Sequence, residues 1–148
     1  MADHVRQQIR EQFASQITGL ATTGSNVFQS RFYNLEAGNL PAIIVYTKDE
    51  TIEPSTLGSN RVMNRTLFLT AEIYVKSVTN ADDTIDDICK EVEVAISADP
   101  TLGGLAKDCY IEEMEATLNG EGDRPVIVGL LTFNVNYHTR EQSPDSAL

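Results

Sequence analysis

Tryptophan is absent from this 148-residue chain, histidine and cysteine occur twice each, and basic residues are half as numerous as acidic ones. Each scarcity excludes a class of function. Cys89 and Cys109 are too few for a disulfide framework, and neither has a second cysteine or a histidine at metal-ligand spacing. They read as small buried hydrophobes. A nucleophile-histidine set would have to recruit His4, in the first turn of a terminal helix, or His138, near the end of a final strand. Neither place holds an imidazole firmly for proton transfer. The 11 Lys and Arg against 22 Asp and Glu leave a net charge of -11. Duplex binding needs basic side chains to displace counterions from phosphates, so this chain should repel DNA. No run approaches the roughly 18 apolar residues of a membrane span. The opening "MADHVRQQIREQF" lacks the apolar core of a secretory signal, and the expectation is a soluble protein that stays where it is made.

What is present is one ordinary domain, with 41% hydrophobic and 22% charged residues. Val5, Ile9, Phe13, Ile17 and Leu20 form one stripe of an amphipathic helix over Asp3 to Leu20. "NVFQSRFYN", from Asn26, and "PAIIVYTK", ending at Lys48, read as two strands. Residues Asp49 to Arg61 contain Pro54 and Gly58 and read as a projecting hairpin or arm, because proline offers no amide to a central ladder.

From Val62 to Ser77 the alternation is strict. Met63, Leu67, Leu69, Ala71, Ile73 and Val75 share one side, while Phe68 and Tyr74 lie on the other, which suggests cover by another subunit. Ile85, Ile88, Cys89, Val92 and Ile96 mark a second helix over Asp82 to Ala98. Two more strands follow, joined at "GEGD". The expected fold is α+β: a single domain over residues 1–140, order α-β-β-β-α-β-β, with two helices on one face of a five-stranded, largely antiparallel or mixed sheet. Residues 141–148 read as a flexible tail.

Sites of chemistry are hard to find. Asp82, Asp83, Asp86 and Asp87 lack a glycine-turned cation loop and suit the dipole of a helix N-terminus. Alternation sends Glu112 to one face and Glu113 with Glu115 to the other, as a solvated sheet surface would. Arg6, Arg10, Arg61 and Arg65 are dispersed, without the interleaved aromatics of a single-strand groove. "DPTLGGLAKD", Asp99 to Asp108, has glycines and a lysine, the residue types of a phosphate loop. Its glycines have the wrong spacing, Lys107 is followed by Asp108, and a helix precedes it where a strand is required. It reads as a helix exit that tucks Leu102 and Leu105 inward. No catalytic, cofactor or metal site is expected.

Four segments carry a resemblance that covers nearly the whole chain: "ITGLATTGSNVFQSRFY", "LPAIIVYTKDETIEP", "ADPTLGGLAKD" and "LNGEGDRPVIVGLLTFNVNYHT". Together they resemble the tail terminator and tail completion proteins of tailed bacteriophages, the group that includes lambda-type minor tail protein U. The resemblance implies a structural, non-enzymatic virion protein that forms a ring, commonly a hexamer, at the head-proximal end of the tail. Its partners would be the tail tube protein and a head-tail connector or stopper protein, and genomic DNA would pass through without specific binding. It would sit in the tail or neck of the virion after assembly in the host cytoplasm. On that reading Glu50, Ile52, Glu53, Leu57, Arg61, Phe68 and Tyr74 are candidate subunit contacts, and Glu113 and Glu115 candidate channel-facing carboxylates. Alternatives are a head-side connector or stopper subunit of the neck, and, with less support, a small-ligand domain or enzyme.

Overall fold

Val5, Ile9 and Phe13 are buried along α1, Val5–Gln16, as the apolar stripe requires. His4 caps the helix, its Nδ1 accepting from Arg6 N at 3.0 Å. The helix stops at Gln16, short of Leu20, although Ile17 is still buried. Beyond it the chain turns through Gly19, whose φ of 88° favours glycine, and Gly19 N donates to Gly24 O at 2.7 Å. These observations come from a computed structural model that describes residues 2–29, 40–76, 80–119 and 126–148.

The strands are β1 (Val27–Phe28), β2 (Ala42–Pro54), β3 (Val62–Lys76), β4 (Asp108–Asn119) and β5 (Val126–Arg140), with α2 (Ala81–Ser97) between β3 and β4. They form one mixed sheet in the order β1-β2-β3-β5-β4. β1 is parallel to β2, and the other three pairings are antiparallel. The expected order and fold class therefore hold. The expected remainder of the first strand, beyond position 29, and the "GEGD" turn lie outside the described residues.

One face of the sheet carries the core. Ile43, Val45, Leu67, Leu69, Ala71, Ile73, Leu131, Phe133 and Val135 meet the stripes of both helices there. Phe13 and Phe133 make an edge-to-face pair, with centroids 5.0 Å apart. Helix α2 lies close on β5 because Gly129 has no side chain. A Cβ at that position would stand 3.2 Å from Ile85 Cγ2. The other face bears no helix among the described residues.

"DPTLGGLAKD" is a structural turn. Asp99 accepts from Thr101 Oγ1 at 2.7 Å and from Gly103 N at 2.9 Å. Leu102, Gly103 and Gly104 take positive φ in succession, which carries Leu102 into the core. Gln16 of α1 donates to Asp99 O at 3.3 Å, so the turn also joins the two helices.

Two bulges shift the alternation. In β2 the register slips between Thr47 and Asp49, so Glu50 pairs with Leu67 and turns toward the helix-bearing face. In β4 it slips between Ile111 and Glu113. Cys109 and Ile111 face the core before that slip, and Met114 and Ala116 take the core side after it. The second strand also runs past Lys48 to Pro54, and proline is tolerated there because β1 borders β2 only at Ile43 and Ile44. Its distal half is an edge among the described residues, where a missing amide breaks no central ladder.

Candidate functional site

The segment expected as an arm is the end of the β2–β3 hairpin, with its last rung between Pro54 and Met63. β5 backs β3 as far as Arg140, opposite Val62, so the projecting part is the tip over 55–61. Gly58 and Asn60 take positive φ in that tip. Ser55 N donates to Val62 O at 2.7 Å, and Thr56 Oγ1 accepts from Val62 N at 2.9 Å. Leu57 at the tip is 96% exposed and Ile52 is 45% exposed. No charged residue occupies positions 55 to 60, in a chain of net charge -11.

At the base of the arm stands a polar cluster that the sequence reading did not anticipate. The Glu50 side chain is 6% exposed and accepts from Arg6 Nε at 2.8 Å and Arg65 Nη1 at 2.9 Å. The Tyr137 hydroxyl donates to the same carboxylate, at 3.0 and 2.9 Å from its two oxygens. Arg65 Nε donates to Thr139 Oγ1 at 3.0 Å, and its guanidinium lies 5.9 Å from the Tyr137 ring centroid. Burial pushes the Glu50 pKa up, but the bonds from Arg6, Arg65 and Tyr137 outweigh it and hold the carboxyl below its ordinary value. Burial, then the Glu50 charge, pushes the Tyr137 phenol up. The cluster is therefore a fully engaged ion pair network joining α1, β2, β3 and β5. With its lone pairs occupied, Glu50 is no free acid or base.

The other candidate residues separate by face. Glu53 is exposed on the arm. Arg61 pairs with Glu141 at 3.3 Å. Phe68 and Tyr74 lie half-buried on the helix-free face, where Tyr74 and Tyr46 both donate to Glu72. Glu113 and Glu115 are exposed and pair with Thr132 and Leu130 on that same face. Glu112, carried by the bulge, accepts from Asn134 at 3.5 Å on this side as well, which corrects the expectation that it would face away from Glu113. The β2 bulge turns Glu50 and Ile52 of the set to the helix-bearing face, where the Glu50 side chain is covered and Ile52 stays exposed.

A second apolar feature lies at the opposite edge of the sheet. Between α2 and β4 a groove of about 350 Å³ is lined by Val94, Ile96, Cys109, Tyr110, Ile111 and Phe133. Val94 is 61% and Tyr110 51% exposed. Both were legible as apolar side chains off their element's buried pattern: Val94 outside the Ile85-Ile88-Val92-Ile96 stripe, and Tyr110 out of phase with Cys109 and Ile111. The only charged side chain in the lining is Glu93, so the groove offers no convergent set of polar groups for chemistry. Burial pushes the thiol of Cys89 up to about 11 and that of Cys109 up to about 12. Among the described residues no group of His, Cys, Asp and Glu could hold a metal ion, and no helix is long and apolar enough to cross a membrane.

Among the described residues the exposed arm tip and the apolar groove carry no catalytic constellation. The sequence pattern of the phage minor tail protein U family matches residues 3–137. The chain belongs to that family. It is accordingly a structural component of a phage tail. No curated protein matches the chain. Among solved structures, a chain of the virion of a native gene transfer agent particle is similar at 13% identity. That likeness covers 90% of this chain and 92% of that one, with a TM-score of 0.41.

Proposed function

We propose that this tail protein is a ring-forming terminator, whose copies close head to tail at the head-proximal end of the tail tube. The observation that carries the reading is the placement of the arm and the groove on opposite sides of one sheet among the described residues. A contact between two different patches repeats from copy to copy and makes a ring where its rotation closes, whereas a self-complementary patch stops at a dimer. In the proposed contact, Leu57 and Ile52 of one copy seat in the groove beside Val94 of the next. The uncharged tip meets an otherwise acidic neighbour without bringing like charges together. Glu53, Arg61, Phe68 and Tyr74 contribute further contacts, and Glu50 acts from within by holding the base of the arm.

On this reading the ring is a hexamer that touches the tube protein on one side and a connector or stopper on the other. Glu113 and Glu115 face the channel, where carboxylates repel phosphates and let genomic DNA pass without binding. The protein would reside in the neck of the virion after assembly in the host cytoplasm.

Engineered cross-links test the contact. A chain carrying Leu57→Cys and Val94→Cys, oxidised in assembled tails, should give a ladder of covalent multimers that ends at one closed size. Absence of intermolecular cross-links, or a ladder without an upper limit, would overturn the proposed ring.

A further inference from the structure

The arm buries little apolar surface of its own, yet polar contacts that lead back to both termini of the chain hold it. At its base Glu50 binds Arg6 of α1 and Arg65 of β3. At its tip Asn60 Oδ1 accepts from Gln142 N at 3.0 Å. Arg61 N donates to Glu141 Oε1 at 2.8 Å, and Glu141 N donates back to Arg61 O at 2.9 Å.

Residues 141–148, expected as a loose tail, are themselves tied to α1 and β5. Val5 N donates to Pro144 O at 2.9 Å, Gln8 Nε2 to Asp145 O at 3.1 Å, and Leu148 N to His138 O at 3.0 Å. Ala147 packs against the core. The contacts close a circuit: arm base to α1, α1 to 141–148, and 141–148 back to the arm tip.

We infer that the first turns of α1 and residues 141–148 form a brace that sets the pose of the arm in the isolated subunit. A hairpin tip that projects past its neighbouring strand sits at the low end of local stability and frays unless something holds it. Here the holding groups are charge-assisted bonds at the base and bonds to residues 141 and 142 at the tip, and the first run directly to α1 while the second reach it through residues 144 and 145. The consequence for assembly rests on the ring reading above. An arm already fixed surrenders less conformational freedom when it docks, which strengthens the contact without adding to it.

Amide hydrogen exchange on the full-length unassembled chain tests the brace, with Ser55 and Val62 reporting on the arm. Three variants interrupt the circuit at different places: Glu141→Ala at the tip, Glu50→Gln at the base, and Gln8→Ala on α1. The last is the most telling, because the Gln8 side chain bonds Asp3 O and Asp145 O and no residue of the arm. The expected result is exchange at Ser55 and Val62 faster by about tenfold or more in all three, with Leu131 and Val135 unchanged in Glu141→Ala and Gln8→Ala. Unchanged exchange at the arm in Gln8→Ala and Glu141→Ala would overturn the inference. So would equal acceleration at Leu131 and Val135 in those two variants, which signals general loss of stability. Ring formation is scored separately: a braced arm without rings refutes the assembly reading alone, and rings with an unresponsive arm refute the brace alone.

Discussion

Arg6 Nε donates to Glu50 Oε2 at 2.8 Å, across a sequence separation of 44 residues, and so ties the first helix to the base of an exposed hairpin. Glu50 is held below its ordinary pKa of 4.5, so the folded state binds its proton less readily than the unfolded chain does. Its stabilising contribution is therefore complete above that value and is lost as pH falls through the folded pKa. His4 follows the same sign. Burial, then the charges of Arg6 and Arg65, lowers it from 6.5, so its contribution is present above 6.5 and fades as pH falls.

Urea midpoints measured against pH should accordingly decline first as His4 protonates and again as Glu50 does. Glu50→Gln should erase the lower step and cost on the order of 3 kcal/mol at neutral pH, since Arg65 is left buried without its counter-ion. A variant that keeps the lower step would show that another carboxylate is responsible.

Gly129 sets how closely α2 approaches the sheet. Gly129→Val should destabilise by about 1–3 kcal/mol, because the new side chain enters space occupied by Ile85. Combining it with Ile85→Ala should cost less than the two separate losses together, with a coupling of roughly 0.5–3 kcal/mol by double-mutant cycle. Simple additivity would mean that the two positions do not share that space.

Much of this architecture was legible because it is periodic. Val5, Ile9 and Phe13 repeat at the helical step, and Leu67 to Val75 repeat at the strand step, so burial followed from spacing. The bulges interrupt that logic. In β4 the signal was present, since the apolar phase changes from Cys109 and Ile111 to Met114 and Ala116. In β2 it was faint, resting on Ile52 alone. The Glu50 cluster left no trace in the sequence. Its partners Arg6, Arg65 and Tyr137 come from three other elements, and each alone reads as an ordinary surface or strand residue. The Asp49 to Arg61 segment was readable as a hairpin, but Pro54 obscured how far β2 runs. Only the sheet order reveals that this half of β2 is an edge among the described residues.

The two thiols should be inert in the native protein. With burial holding Cys89 near 11 and Cys109 near 12, the thiolate that would react is scarce at neutral pH. Intact-mass measurement after treatment with an alkylating reagent should show no adduct until denaturant is added, whereupon both label. Rapid labelling of folded protein would contradict the burial described for these side chains.

Leu57 separates folding from assembly. Because the side chain is almost wholly exposed, Leu57→Asp should change unfolding free energy by no more than about 0.5 kcal/mol. The same variant should fail to assemble, since it places a charge where an apolar contact is proposed. Unchanged assembly would remove the tip from the interface.

The ring at the end of the tail is the central claim, and electron microscopy of tail particles labelled on this protein tests it most directly. The expected image is label confined to the head-proximal end of each tail, with averaged density there resolving a closed ring of copies of this chain. Label along the tube or at the distal tip, or a single copy without rotational symmetry, would contradict it.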